Sequence, residues 1–358
     1  MPAIFFLLAP RGYPPLSDSI LEDFDRHGDA FNYNNLRKRI AEICNLFQTF
    51  RIVTGMPKKM HANEVVINKS LVRSLLTAQF PQWASLPIRR VKSAGTSNAI
   101  YLLGVNMCVR LPRVPGAVYA IEREDRWLPK LAPHLPVAIP APLAMGKPGH
   151  GYPWAWAVCR WLPGKSVDFE PIVDTLRAAS DLAGFVTALK HIDPTGGPSP
   201  KDPIYGRGVP LARRDDVTRN AIADLEALPQ LGVDIAEAAA AWKQALRAPD
   251  WDKPPVWVHG DLLPGNLLIK DGRLSGVIDF GSLAVADPAC DLLPAWTILS
   301  GESRQAFRAA LSVDDATWDR GRGLALSVGL LALPYYHKTN PRFAAIAHHM
   351  INQVLADS

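Results

Sequence analysis

The sequence has 358 residues, of which 48% are hydrophobic and 20% are charged, so it can bury the core of one large or two modest domains. Its net charge of +5 is mildly basic, but no run of Lys and Arg with interleaved aromatic residues occurs, which argues against a nucleic-acid partner. No apolar stretch is long enough to span a bilayer, AIFFLLAP (residues 3–10) included, so we expect no membrane partner either.

The cysteines form neither a CxxC pair nor a pattern with metal-ligand spacing. Because each has apolar neighbours, we expect buried thiols in a reducing compartment, and therefore a cytoplasmic protein. They are Cys44, Cys108, Cys159 and Cys290.

Residues 1–59 show no sustained hydrophobic period and hold eight Lys/Arg against six Asp/Glu. Met56 and Met60 lie just before the first strongly periodic segment. We interpret this region as a poorly ordered N-terminal extension, or as upstream codons read from an overlong start.

Helical spacing of apolar residues over 64–80 predicts the first helix, with Asn63 as its N-cap. The runs IRRVKSA, NAIYLLG and MCVRLPR then predict three antiparallel strands. A second helical pattern covers 117–131, where Pro129 should bend or end the helix.

An apolar run of strand length, WAWAVCRWL (154–162), precedes helical patterns over 172–189, 215–228 and 235–247. This order predicts an α+β fold with a small β-rich lobe and a larger helical lobe. We place the two lobes at 60–162 and 163–358.

The stretch HGDLLPGNLLIKDGRLSGVIDFG (259–281) places polar residues at the edges of apolar, strand-like runs. It predicts a strand, a polar loop with Pro-Gly, a second strand, and a third strand across the Asp271-Gly272 turn. Since strand ends converge in such an arrangement, Asp261, Asn266 and Asp279 are predicted to face one pocket.

The chemistry of these side chains suits phosphoryl transfer. Oxygens of Asn266 and Asp279, together with phosphate oxygens and water, would satisfy Mg²⁺. Asp261 would be free to accept a proton from an attacking hydroxyl, and kinases place an Asp, an Asn five residues later and an Asp-Phe-Gly in this order. The alternative is that the three are turn and cap residues, which Asp and Asn favour in general.

The stretch resembles the catalytic motif of the aminoglycoside phosphotransferase family, whose loop reads His-Gly-Asp. The similarity extends from about Asn63 to the C-terminus and includes DPACDL (287–292) and ALPYYHKTNP (332–341). It implies a protein-kinase-like bilobal fold with a small antiparallel sheet and a helical C-lobe. It also implies that Asp261 is the catalytic base, Asn266 and Asp279 are magnesium ligands, and His259 is a structural residue of the loop.

The resemblance also implies a nucleotide site in the smaller lobe. SAGTSNAIYLLG resembles the hairpin that covers the phosphates, and VCRWLPG resembles the hinge that binds adenine, with Cys159 in the pocket wall. The corresponding residues are Gly95, Thr96 and Ser97 near the phosphates and Arg160, Trp161 and Leu162 near the base.

One strand departs from the family pattern, because Arg110 stands where the phosphate-binding lysine is expected. A guanidinium and an ammonium are not interchangeable, and the alternative for Arg110 is a surface arginine on an edge strand. Glu124 matches the helix glutamate that pairs with this cation; we prefer it to Glu122 because it shares a helical face with Leu128 and Leu131.

The predicted function is transfer of the γ-phosphoryl group of ATP, or of GTP, to a hydroxyl of a small molecule by an enzyme that is a monomer or a weak homodimer. Alternatives are a nucleotide-binding pseudokinase, suggested by Arg110 alone, and a kinase for a macrolide, a sugar or a metabolite alcohol. The net positive charge does not favour a polycationic acceptor. After the strand that ends at Asp279, Asp291 is expected to brace the catalytic loop by hydrogen bonds, and Asp287 either to do the same or to cap a helix.

Overall fold

The computed structural model describes residues 66–91, 97–168, 172–200 and 207–357. The chain divides into two units, Met1–Asn68 and Lys69–Ser358, and the account below concerns the second. The predicted extension at 1–59 and the N-cap at Asn63 lie outside the described residues.

A five-stranded antiparallel sheet forms the smaller part of the unit, in the order β1-β2-β3-β5-β4. The three consecutive strands predicted from the sequence are its first three. The strands are β1 Ile88–Arg90, β2 Asn98–Leu103, β3 Met107–Pro112, β4 Pro142–Gly146 and β5 Trp156–Arg160. Since β3 is central, the alternative of Arg110 on an edge strand is wrong.

Two helices accompany this sheet, α1 (Lys69–Gln79) and α2 (Gly116–Leu131). The apolar stripe of α2 is buried and the helix packs against β4 and β5. Pro129 was expected to bend or end α2, but the helix continues to Leu131. Its missing N–H removes only one hydrogen bond close to the C-terminal end.

The larger part of the unit is mainly helical. Its helices are α3 Thr175–Lys190, α4 Asp215–Glu226, α5 Ile235–Ala245, α6 Pro294–Thr297, α7 Gly301–Leu311, α8 Asp315–Tyr336 and α9 Pro341–Leu355. The three predicted helices correspond to α3, α4 and α5. The core contains the fully buried side chains of Phe185, Trp242, Trp257 and Trp296.

Two small sheets support the stretch 259–281. In one, β6 (Lys165–Ser166) pairs with β8 (Leu267–Lys270), which pairs with β9 (Arg273–Val277). The turn between β8 and β9 has positive φ at Asp271 (53°) and Gly272 (74°), as expected of a two-residue hairpin.

In the other small sheet, β7 (Val256–Val258) pairs with β10 (Ala284–Ala286) and not with the β8–β9 hairpin. The backbone turns away directly after β7, where Gly260 has a φ of 76°. The chain passes from β5 to β6 at residues 161–164, where the lobe boundary was placed, and that boundary stays a prediction. Within the described part of the chain, no helix has the length and apolarity needed to cross a membrane.

Candidate active site

A buried carboxylate, that of Asp291, stabilises the polar loop between β7 and β8. Asp291, which is 1% exposed, accepts hydrogen bonds from the backbone N–H groups of His259 (2.8 Å) and Gly260 (2.7 Å). Burial raises the pKa of Asp291 to about 6, and these two hydrogen bonds oppose the rise. The expected bracing role of Asp291 is therefore confirmed by its contacts.

Asp287, four residues earlier, begins the short 3₁₀ helix Pro288–Leu292 that carries Asp291. Its side chain accepts from the N–H of Ala289 at 2.9 Å, so the expected cap is confirmed. Asp287 also receives the guanidinium of Arg320 at 2.7 Å, which ties this helix to α8.

His259 is fully buried and lies inside the loop. Its Nδ1 accepts from the backbone N–H of Asp261 (3.1 Å), and its Nε2 lies 3.1 Å from the carbonyl oxygen of Ile278, which assigns the proton to Nε2. Burial lowers the pKa of His259 to about 4, so the ring is neutral at pH 7. Its ring edge also contacts Phe280.

Asp261 and Asn266 contact each other directly. The side-chain amide of Asn266 donates to the carbonyl oxygen of Asp261 (2.8 Å) and to its Oδ2 (3.0 Å). The carbonyl oxygen of Asn266 accepts from the N–H of Ile278 at 2.9 Å. This last bond connects the loop to the residue that precedes Asp279.

Asp279 follows β9 in a left-handed conformation, with φ of 64° and ψ of 66°. Its charge acts on His259 of the loop and also on Arg110 and Glu124. The structure therefore brings Asp261 and Asn266 into direct contact. Asp279 is connected to them indirectly, because the preceding residue, Ile278, donates to Asn266 and the charge of Asp279 acts on His259.

Asn266 and Asp279 have a donor set that fits Mg²⁺. The amide nitrogen of Asn266 is used by Asp261, and within the described residues no hydrogen bond reaches the side-chain oxygens of Asn266 or Asp279. The described residues contain no cluster of three or more His, Cys, Asp and Glu that could hold a metal ion alone. Mg²⁺ bound at Asn266 and Asp279 would therefore have to complete its shell with phosphate oxygens and water.

Arg110 on β3 and Glu124 on α2 form a buried ion pair, with side chains 9% and 1% exposed. Burial alone would lower the pKa of Arg110, but the carboxylate of Glu124 raises it above its ordinary value and the guanidinium stays charged. Glu122 is exposed, so the preference for Glu124 is confirmed. Burial raises the pKa of Glu124, and the guanidinium of Arg110 and the backbone N–H of Phe280, directly after Asp279, oppose the rise.

The other predicted nucleotide contacts lie at the end of β5 and just before β2. Arg160 is the last residue of β5, and Trp161 continues the pairing by donating its N–H to the carbonyl oxygen of Asn106 at 2.8 Å. Leu162 is buried, and Ser97 accepts from the N–H of Arg113 at 2.9 Å. Gly95 and Thr96 lie outside the described residues.

Arg207, which sequence reasoning missed, reaches the polar loop and contacts Asp261. Its Nη1 donates to the carbonyl oxygen of Gly260 at 2.7 Å and pairs with Oδ1 of Asp261. Arg207 belongs to a proline-rich connection between α3 and α4, where no periodicity or motif marks a functional residue.

A cavity of about 400 Å³ lies at the other end of the β7–β10 ribbon, beside Pro255 and Ala286. None of the predicted site residues that the structure describes lines it. Its walls include Trp251 and Lys253, and Asp287 lies at its edge.

Comparison with known sequences gives a match to a family described as the phosphotransferase enzyme family, over residues 88–324. The match contains the central strand with Arg110, the helix with Glu124 and the whole stretch 259–281. No curated protein matches the sequence.

Several solved structures share the fold at low sequence identity. The GDP complex of wild-type aminoglycoside 2'-phosphotransferase-IIIa has a TM-score of 0.60 and 19% identity, covering 81% of this chain and 99% of the other. The GDP and kanamycin complex of APH(2")-IIia has a TM-score of 0.60, 19% identity and coverages of 81% and 100%. The macrolide 2'-phosphotransferase MphH from Brachybacterium faecium has a TM-score of 0.52, 21% identity and coverages of 79% and 97%. The predicted kinase-like α+β fold is thus confirmed.

Proposed function

This chain belongs to the phosphotransferase enzyme family, and we propose that it moves the γ-phosphoryl group of ATP or GTP to a hydroxyl of a small molecule. One observation carries the proposal. Asp261 and Asn266 are in hydrogen-bond contact in a loop braced by Asp291, and the charge of Asp279 acts both on His259 of this loop and on the Arg110–Glu124 pair.

In this proposal, Asp261 orients the acceptor hydroxyl and takes its proton as the oxygen attacks phosphorus. General-base assistance of this kind contributes roughly 10²- to 10⁴-fold to the rate. His259 stays neutral and fixes the loop, since burial holds its pKa at about 4. Its hydrogen bond to the N–H of Asp261 keeps the base in place.

Asn266 and Asp279 would hold Mg²⁺, which would neutralise phosphate charge when bound. Arg110 would bind phosphate oxygens. Its ion pair with Glu124 holds the guanidinium in a fixed position on the central strand. Such pre-positioned charges stabilise the transition state without reorganising during the reaction. Ser97, with Gly95 and Thr96, would cover the phosphates, and the backbone at Arg160 to Leu162 would bind the base.

The Arg110–Glu124 pair favours an active enzyme over the pseudokinase alternative. That alternative was suggested only by arginine in place of lysine, and the pair has the connection between sheet and helix that a phosphate-binding lysine needs in kinases. We place the enzyme in the cytoplasm, supported by the free, buried thiols of Cys108, Cys159 and Cys290.

The direct test is phosphate transfer. The protein would be incubated with magnesium and either ATP or GTP, and with a panel of hydroxyl compounds that contains an aminoglycoside, a macrolide, sugars and sugar acids. Mass spectrometry would then show whether one phosphate has been added. Finding no phosphorylated product across the panel, with nucleotide turnover indifferent to Asp261, would contradict the proposal.

Asp261→Asn is the informative variant and should lower turnover roughly 10²- to 10⁴-fold. Asp271→Asn is its matched control, because it makes the same chemical change in the exposed β8–β9 turn, where Asn also tolerates the positive φ of 53°. Activity of the control should equal that of the wild type.

A further inference from the structure

Asp261 does not present a free carboxylate to an acceptor. Its Oδ2 accepts from Asn266, and its Oδ1 is paired with the guanidinium of Arg207. The side chains of Arg207 and Asp261 are 15% and 23% exposed, so the pair is only partly screened by water. Arg207 is also fixed by its 2.7 Å hydrogen bond to the carbonyl oxygen of Gly260.

We propose that Arg207 determines the charge class of the acceptor: the enzyme takes neutral or anionic hydroxyl compounds and rejects compounds with an ammonium group beside the reacting hydroxyl. This inference rests on the proposed function, because it treats Asp261 as the group that meets the acceptor. An acceptor oxygen next to the hydroxyl would take over the hydrogen bond that Arg207 now gives to Asp261.

The first reason is charge neutralisation. A cationic acceptor is held by carboxylates near its hydroxyl, and Asp261 is the carboxylate that must lie there. Arg207 already cancels its charge, so an ammonium group gains little from Asp261 and is repelled by the guanidinium at close range.

The second reason is that a further guanidinium, that of Arg214, interacts electrostatically with Arg207. Arg214 is 7% exposed and donates to Ser327 at 3.0 Å. Burial, and then the positive charge of Arg207, lower the pKa of Arg214 to about 10. Arg214 is therefore a second cation whose charge acts on that of Arg207.

The third reason is that the carboxylate that braces the loop, Asp291, is also in use. Both oxygens of Asp291 accept backbone hydrogen bonds from the loop, and the side chain is almost completely buried. It cannot turn toward an ammonium group without releasing His259 and Gly260.

The test is a binding measurement with kanamycin as the polycationic probe. Calorimetric titrations would be run with ADP and magnesium present, on the full chain and on Arg207→Gln, Arg207→Lys and Arg177→Gln. Arg177→Gln is the matched control, since it removes the same charge from an exposed ion pair, with Asp181, on α3.

Arg207→Gln should bind kanamycin at least about tenfold more tightly than the wild type, as expected when a like charge is removed at close range. Arg207→Lys and the control should bind as the wild type does. Arg207→Met, which keeps the side-chain length, replaces Arg207→Gln if that variant does not fold.

Equal affinity of the wild type and Arg207→Gln, including the absence of binding in both, would overturn the inference. A gain in kanamycin affinity that Arg207→Lys shares would also overturn it, because side-chain shape and not charge would then determine the affinity. These titrations involve no turnover, so their failure is distinct from a failure of the phosphate-transfer assay with Asp261→Asn.

Discussion

The buried ion pair of Arg110 and Glu124 allows stability and nucleotide binding to be separated. Replacing Glu124 alone by Leu leaves a guanidinium buried at 9% exposure without its main partner. Breaking a buried pair in this way costs about 3–5 kcal/mol. Because the charge of Asp279 also favours the guanidinium, we expect the lower end, about 3 kcal/mol.

The double variant Arg110→Met/Glu124→Leu removes both charges and keeps the apolar volume. Its free energy of unfolding should return to within about 1 kcal/mol of the wild type, since a hydrophobic replacement of a buried pair is often neutral. Nucleotide affinity should nevertheless be lost, because no cation remains on β3 to bind phosphate.

Urea unfolding followed by circular dichroism gives the stabilities, and titration with a fluorescent ADP analogue gives the affinities. Glu122→Leu, in the exposed position two residues earlier on α2, is the control and should change stability by no more than about 0.5 kcal/mol. A double variant as unstable as the single one, or one that binds nucleotide normally, would refute the reasoning.

Three further predictions concern the loop between β7 and β8 and the residues that brace it. Gly260→Ala should lower the free energy of unfolding by about 2 kcal/mol or more, because φ at this position is 76° and a Cβ would lie 2.9 Å from the carbonyl oxygen of Ser282. Urea unfolding with an unchanged midpoint would contradict this. Burial raises the pKa of Asp291 to about 6, so the folded state binds more protons than the unfolded state, whose Asp has a pKa of about 4. Asp291 therefore contributes stability below pH ~4, and about 3 kcal/mol of it is lost as the pH rises through 6. Asp291→Asn should abolish this part of the pH dependence of the free energy of unfolding. Identical pH profiles of the wild type and Asp291→Asn would count against this reasoning. Asn266→Ala should raise the magnesium concentration for half-maximal turnover at least about tenfold, the effect of losing even an outer partner of a metal, and an unshifted magnesium curve would exclude Asn266 as a ligand.

Features encoded by local pattern were predictable. The Asp271-Gly272 turn and the apolar runs beside it specify the β8–β9 hairpin, and hence the approach of Asn266 to Ile278 just before Asp279. Helical periodicity was enough to choose Glu124 over Glu122, because only one of two residues two positions apart can face the sheet.

Features that depend on distant parts of the chain were not predictable. Arg207 is 54 residues from Asp261, in a connection without periodicity, and only the packed structure brings its guanidinium to the carboxylate. The pairing of β7 with β10 was missed for the same reason, since short strands carry no signal for a partner across an intervening hairpin.

The left-handed backbone at Asp279 makes the main-chain conformation just after β9 depend on which side chain stands at this position. At a φ of 64°, only Gly, Asn and Asp are comfortable, so most other residues there would strain or reshape the peptide as well as remove a charge. The backbone N–H of the next residue, Phe280, helps to offset the rise that burial causes in the pKa of Glu124. Asp279→Asn therefore removes the charge and keeps the backbone, whereas Asp279→Ala would also shift this N–H relative to the carboxylate that pairs with Arg110.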